Sequence, residues 1–249
     1  MFRKKIKNYF SNNLFLSILI SNLYLLQQAI ISFPYRLLSC TKNNISFGAK
    51  IIGWKHIYLD GNVVVSHGSF LNVNSRGRRS SSFLWIGQNS FIGKGNFFSV
   101  GDSIKMGPFC LTASNCSFIG SSHKIENPFL PVLTSGVSLD KNIIVGANCF
   151  FGFSSSVIGN VKIGHGCVIG AHAVVMKDIP PFSMVIGNPA RIIKRYDFNK
   201  NIWVSDFDDE ICIFAPDEVE YIERLKLNVY GQFPLMPLSA SKGFLSDAP

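Results

Sequence analysis

The stretch VGANCFFGFSSSVIGNVKIGHGCVIGAHAVVMKDIP, residues 145–180, carries an apolar side chain at every sixth position: Val145, Phe151, Val157, Ile163, Ile169 and Val175. Four residues after each come Cys149, Ser155, Val161, Cys167, Ala173 and Ile179, mostly small or branched. Three residues after each come Asn148, Ser154, Asn160, Gly166, His172 and Asp178. Apart from serine, these are the types that best tolerate a positive φ. A period of six matches neither an amphipathic helix nor the simple alternation of a half-buried strand. It predicts very short strands joined by tight turns.

The same step recurs in two earlier blocks. Residues 86–109, IGQNSFIGKGNFFSVGDSIKMGPF, put Asn89, Gly95, Gly101 and Gly107 at the turn position, and Ile45, Ile51, Ile57 and Val63 keep the spacing with less regular neighbours. The three blocks are out of phase, so insertions lie between them: NSRGRRSSS at 74–82, and SFIGSSHKIENPFLPVLTSG at 117–136. A fixed short period means a solenoid whose repeats bury a continuous core only by stacking. An irregular β-sandwich would not hold a six-residue phase over six repeats.

The chain has 249 residues, 47% of them hydrophobic, ample for one sizeable core. Its net charge of +9 is unevenly placed, since residues 1–196 carry 20 Lys+Arg against 5 Asp+Glu and residues 197–249 carry 4 against 10. A basic body suits an anionic partner, whether a nucleotide-bearing cofactor, an acidic glycan, a membrane face or nucleic acid. Among the six cysteines there is no C-x-x-C pair, and Cys110, Cys116, Cys149 and Cys167 fall at repeat spacings. They are predicted to be buried free thiols in a reducing compartment. At the N-terminus FRKKIK precedes an uncharged run from Asn8 to Tyr35, with Ser17, Ser21, Gln28 and Ser32 close to one side of a helix that Pro34 ends. The expected object is a hydrophobic helix, packed on the body or lying at an anionic membrane surface through residues 1–36. The corresponding location is the cytoplasm or the inner face of the plasma membrane.

The segment IGAHAVVMKDIPPFSMVIGNPARIIKR, residues 169–195, resembles the closing coil of the hexapeptide-repeat acyltransferases, where a G-A-x-x-V-V-x-K-D-I-P-P run leads into G-N-P-A-[KR]. The resemblance implies an all-β solenoid: a left-handed parallel β-helix over residues 45–196, between an N-terminal helical segment (1–44) and an acidic tail (197–249). The left hand follows from the resemblance alone, because ordinary crossovers are right-handed. The resemblance further implies acetyl-CoA as donor, a homotrimer with active sites between subunits, and a histidine in an extruded loop as general base. The most similar subgroup acetylates sugar hydroxyls of bacterial surface polysaccharides.

His123 lies in the second insertion, immediately after the FIG repeat, and matches that histidine. A neutral imidazole can take the proton of an alcohol as its oxygen attacks a thioester. For the donor, Ala171, Met176, Lys177, Arg191 and Lys194 match the family's footprint, with lysine or arginine suited to a 3′-phosphate. Phe153 also falls there, and departs from the family: W-I-G-[AS] reads Phe150, Phe151, Gly152, Phe153 in this chain. His165 and His172 fall in repeat turns, where tolerance of positive φ suffices to account for them. Zinc-binding hexapeptide proteins need two histidines five apart, a spacing not found here, so no metal is expected.

In the tail, APDEVEYIERLKLNVYG predicts an amphipathic helix starting at Pro216 and Asp217, with Val219, Ile222, Leu225 and Val229 on its apolar face and Gly231 at its end. The readings left open are O-acetyl transfer to a sugar or polysaccharide, N-acetyl transfer to an amino sugar, and a non-catalytic scaffold. Nucleic acid is not an expected partner, because RGRR is brief and belongs to no recognition fold.

Overall fold

The computed structural model describes residues 43–73, 82–205 and 215–228. The helix expected over the N-terminal segment lies outside these residues. Within them the short strands stack in parallel into three sheets, each coil adding one strand to each sheet in turn. The first face takes Asn44–Ile45, Val64–Val65, Phe91–Ile92, Leu111–Thr112, Phe150–Phe151, Val168–Ile169 and Ser183–Ile186. The second takes Lys50–Ile52, Phe70–Asn72, Phe97–Ser99, Ser117–Ile119, Ser156–Ile158 and Val174–Val175. The third takes Ile57–Leu59, Phe83–Ile86, Ser103–Met106, Asn142–Val145 and Val161–Ile163. Arg191–Asp197 and Ile202–Val204 then turn back antiparallel and close the first face.

All six residues of the sixfold apolar series in 145–180 are buried, and so are the small or branched residues four places on. Strands this short hold because every coil hydrogen-bonds to the next; Phe91, Leu111 and Phe150 donate in turn to the carbonyls of Cys110, Cys149 and Cys167 at 2.8, 2.9 and 2.9 Å. Asn148, Ser154, Gly166 and His172 take positive φ, as the repeat predicts. Asn160 and Asp178 do not belong to that set. They sit at the corner between the second and third faces, where their side chains cap the coil instead: the Asn142 amide donates to Asn160 Oδ1 at 3.1 Å and the Lys162 amide to Asp178 Oδ1 at 2.8 Å.

Two of the expected turn glycines have another role. The third face buries two alternate residues per strand, such as Ile104 with Met106, so the inward step from Phe98 to Met106 is eight rather than six. The left-handed turn therefore comes at Phe109 (φ 63°) and not at Gly107. Gly101 and Gly107 are required for close approach: a Cβ on Gly101 would lie 2.2 Å from the Gly120 carbonyl oxygen, and one on Gly107 would lie 2.7 Å from the Ala147 nitrogen.

Cys110, Cys116, Cys149 and Cys167 are free and buried. Three of them form a ladder at equivalent places in successive coils, their thiols donating to Gly146 O (3.3 Å), Gly164 O (3.1 Å) and Pro180 O (3.2 Å). Burial pushes the Cys116 and Cys149 thiols up, which keeps them protonated and unreactive. The tail helix, α1, spans Glu218–Asn228. Asp217 caps it by accepting from the Glu220 amide at 2.8 Å. It docks less through the predicted apolar stripe, whose Val219 is 72% exposed, than through Glu218 and Tyr221. Glu218 accepts the Ala147 amide at 2.7 Å, and the Asn148 side chain donates to the Tyr221 hydroxyl. Burial raises the Tyr221 phenol, so it stays a neutral acceptor there.

Candidate active site

The chain leaves the solenoid after Ile119 and returns at Asn142, at the corner between the second and third faces. Gly101 of the coil below makes this exit narrow. The carbonyls of Gly120 and Lys141, the two ends of the loop, converge on its Cα, and the Asp102 amide donates to Lys141 O at 2.9 Å. Inside the loop, Ser122–His123 pairs antiparallel with Val137–Ser138, and the Lys124 amide extends this ladder to Gly136 O at 3.1 Å. At the return, the Ser138 hydroxyl donates to Asp140 and holds its carboxyl below the usual carboxylate range. His123 is thus on a braced two-stranded stem and not at a free loop tip.

The stem encloses a cavity of about 420 Å³ against the second face, lined by Asn72, Ser99, Val100, Ser121, Ser122, His123, Val137 and Leu139. Asn72 and Ser99 are in register on adjacent strands. Ser99 and Ser121 share a 2.6 Å hydrogen bond that ties the stem to the solenoid. Lys141 Nζ donates to Ser122 Oγ at 3.4 Å. His123 is exposed, and its imidazole forms no hydrogen bond among the described residues, so a ring nitrogen is open to a ligand. Apart from His123 the described lining is uncharged.

The other histidines are otherwise employed. His165 is buried, its Nε2 donates to Pro216 O at 3.0 Å, and its ring packs on Phe182 and Tyr221 under the tail. Positive φ does not explain it, because the left-handed residue there is Gly166. His172 is exposed, has a φ of 57° and meets the Phe153 ring edge-on at 5.5 Å. His67 lies on the first coils, with Nδ1 bonded to Phe47 O at 2.7 Å.

The expected donor residues lie away from this cavity, toward the C-terminal coils. Phe153 and Ala171 stack at the corner between the first and second faces, where the Ala171 nitrogen would lie 2.5 Å from a Cβ on Gly152. Phe153 is 46% exposed, so its ring rests on the surface and takes no core volume. Met176 and Lys177 are exposed at the opposite corner of the second face. The GNPA turn lies between them as a last rung, with Val174 donating to Gly187 O and Ala190 donating to Val174 O, both at 2.9 Å. Arg191 and Lys194 follow on the returning strand, paired with Ile186 and Met184. These six residues therefore flank one end of one face and form two groups, not a single enclosed pocket.

Residues 142–177 match the family described as bacterial transferase hexapeptide, six repeats. That segment is similar to the hexapeptide repeats of bacterial transferases. This hexapeptide chain is 29% identical over 142 residues to a probable acetyltransferase of Mycobacterium tuberculosis, an alignment covering 57% of this chain and 42% of that protein. It is 33% identical over 112 residues to a putative acetyltransferase of Staphylococcus aureus, covering 45% and 55%. It thus spans about half the length of the curated relatives it matches. In fold it is similar to AntD, an N-acyltransferase from Bacillus cereus solved with dTDP and 3-hydroxybutyryl-CoA, with a TM-score of 0.53 at 19% identity over 74% of this chain and 89% of that one.

Two lining residues escape a reading of the hexapeptide pattern. Asn72 lies in the irregular first block, and Ser99 occupies an ordinary strand position. The available signal is that both are polar at the end of a second-face strand, where Ile119 and Ile158 stand in the coils above.

Proposed function

We propose that this protein transfers the acetyl group of acetyl-CoA to a hydroxyl of a bacterial surface polysaccharide or its precursor, on a left-handed β-helix, with His123 as general base. The observation that carries the reading is the His123 cavity, with an open imidazole facing neutral hydroxyl and amide groups. The acceptor hydroxyl gives its proton to the imidazole as its oxygen bonds to the thioester carbonyl carbon. Collapse of the tetrahedral adduct breaks the C–S bond, and the imidazolium returns the proton to the departing thiolate. An uncharged lining favours an alcohol over an ammonium acceptor, which would seek a carboxylate. The deciding experiment is thiol release from acetyl-CoA with and without sugar acceptors, followed by mild alkali, which cleaves an ester product and spares an amide. A product stable to that treatment sinks the O-transfer reading.

Phe153, Ala171, Met176, Lys177, Arg191 and Lys194 form the proposed donor side, with the cations at the phosphates. Lys177→Ala or Arg191→Ala is expected to raise the KM for acetyl-CoA about tenfold or more, since a hydrogen bond to a charged group contributes about 1.5–3 kcal/mol. Dephospho-acetyl-CoA should erase the difference for whichever residue holds the 3′-phosphate. Equal KM for wild type and both variants would remove these cations from the site.

The donor groups on one solenoid offer an open face, which suits a homotrimer in which a neighbouring subunit closes the groove. The loop points the same way: Phe129 is 95% and Leu133 89% exposed on the single chain, an apolar surface of the kind a partner covers. Light scattering on the full chain should give three chain masses; an active monomer would refute the arrangement. Contact of residues 1–36 with an anionic membrane remains part of the proposal. Among the described residues no helix is long and apolar enough to cross a membrane.

A further inference from the structure

The outer side of the third face carries aromatic surface that the stacking of coils does not use. Leu84, Ile86, Ile104 and Met106 fill the inward positions and are fully buried, so Trp85 and Lys105 between them point outward. In register across the face stand Tyr58, Trp85, Lys105, Ile144 and Lys162. Phe83, the other outward residue of the Trp85 strand, braces the group: the Tyr58 ring meets it edge-on at 6.3 Å, and Lys105 Nζ lies 5.4 Å from its centroid. Trp85 Nε1 donates to Asp60 Oδ1 at 3.2 Å, which fixes the indole. Tyr58 is exposed, and neither its hydroxyl nor the Lys105 ammonium has a hydrogen bond or an ion pair among the described residues.

We propose that Tyr58, Trp85 and Lys105, braced by Phe83, form a second sugar-binding subsite, which holds the continuing neutral glycan chain whose reacting sugar occupies the His123 cavity. The inference rests on the acyl-transfer reading above and narrows its acceptor to a chain of linked sugars. The C–H face of a sugar ring is apolar and slightly positive, so it lies well against the negative face of an aromatic ring. The Tyr58 hydroxyl and Lys105 then meet the sugar oxygens. Cavity and row are neighbours: Val100 lines the cavity, and the third-face strand starts at Ser103, one corner later. From Tyr58 to Ile144 the row spans three strand spacings, about 14 Å, and from Phe83 to Trp85 it is about 7 Å wide, a strip on the order of 100 Å². Each partner of a stable protein interface buries about 800 Å², so the strip matches a linear chain better than a subunit. Charge points to a neutral chain. Lys105 and Lys162 on the row are set against Asp60, Asp102 and Asp178 at its margins, where the Phe83 amide donates to Asp102 O at 3.2 Å and the Lys162 amide to Asp178 Oδ1 at 2.8 Å. An anionic membrane or a nucleic acid would call for an excess of cations.

The test uses the full chain with four neutral hexasaccharides, maltohexaose, cellohexaose, laminarihexaose and mannohexaose, against methyl glucoside and methyl mannoside. Binding is read by saturation-transfer NMR and tryptophan fluorescence. Wild type should bind at least one hexasaccharide about tenfold more tightly than the matching methyl glycoside. Tyr58→Ala and Trp85→Ala should each cut that length preference about fivefold, and Tyr58→Phe, which keeps the ring, should restore it. Should Trp85→Ala fail a circular dichroism check, the exposed Tyr58 carries the test. In the thiol-release assay the same preference should appear in the acceptor KM, with the KM for acetyl-CoA within about twofold. No gain from chain length, or an unchanged preference in a folded Tyr58→Ala protein, overturns the inference while leaving acetyl transfer to the methyl glycosides intact. Length-dependent binding that Tyr58→Ala removes, without thiol release by wild type, supports the subsite and sinks acyl transfer. A lower mass by light scattering for Tyr58→Ala than for wild type would make the row a contact between copies and overturn the inference. Loss of flotation on anionic vesicles would do the same in favour of a membrane, and binding of no hexasaccharide would overturn it outright.

Discussion

His123→Ala should lower kcat by about 10²- to 10⁴-fold, the usual consequence of removing a general base. The loss should be catalytic and not structural. His123 lies outside the stacked coils, on a stem whose pairing with Val137 uses backbone groups only, and the neck of the loop is fixed by Gly101, Gly120 and Lys141. Circular dichroism should therefore be unchanged. Acetyl-CoA affinity should change little, because the proposed donor groups lie on later coils and an acceptor-side base acts on the transition state. Calorimetry with acetyl-CoA and a thiol-release assay on one preparation test each part. Near-normal turnover by a folded His123→Ala protein would end the assignment. The next candidate would then be His172, since His165 is buried and bonded to the tail.

The sequence makes the inside of this protein easy to read and the site harder, for one physical reason. An inward position is dictated by its own coil: Val145, Phe151 and Val157 must be apolar wherever the next coil falls, so a sixfold rhythm marks them. The two-residue slips are invisible to that rhythm, because Ile104 keeps the step while Met106, two places on, sets the next corner at Phe109. The break in phase locates the loop and His123, since only an extruded segment can leave the ladder without disturbing it. Asn72 and Ser99 are different. Their role depends on the stem folding back over two earlier coils, a contact between residues distant in sequence that no local pattern encodes. The tail likewise shows a helix but not its docking face. Glu218 and Tyr221 are selected by orphan groups on the solenoid corner, at Ala147 and Asn148, and not by helical amphipathicity.

Phe118→Ala should be among the most destabilising single changes in the solenoid. Phe118 is fully buried on the strand from which the loop departs, and its ring lies 4.6 Å from that of Phe98 in a stacked arrangement and 5.0 Å from that of Phe151, edge-on. It thereby joins three successive coils. Truncating a buried phenylalanine costs about 3–5 kcal/mol in lost contacts and residual cavity, and the two ring pairs place Phe118 toward the upper end of that range. The site cannot collapse to fill the void, because coil spacing is fixed by the backbone ladder on both sides of the strand, from Phe98 to Phe118 to Val157. With about 2–4 °C of Tm per kcal/mol for a domain of this size, melting should fall by roughly 6–20 °C. Ile144→Ala in the same coil, where the side chain points outward and is 40% exposed, should change Tm by little, as surface substitutions usually do. In a repeat protein, stability is a sum of coil and interface terms. Removing Phe118 weakens both interfaces of the coil that carries His123, so the loss should appear as heat-sensitive activity before the melting midpoint, with turnover at low temperature close to wild type. Differential scanning calorimetry with a temperature series of the thiol-release assay tests this. Equal Tm for Phe118→Ala and Ile144→Ala would mean that the aromatic stack is not what holds these coils together.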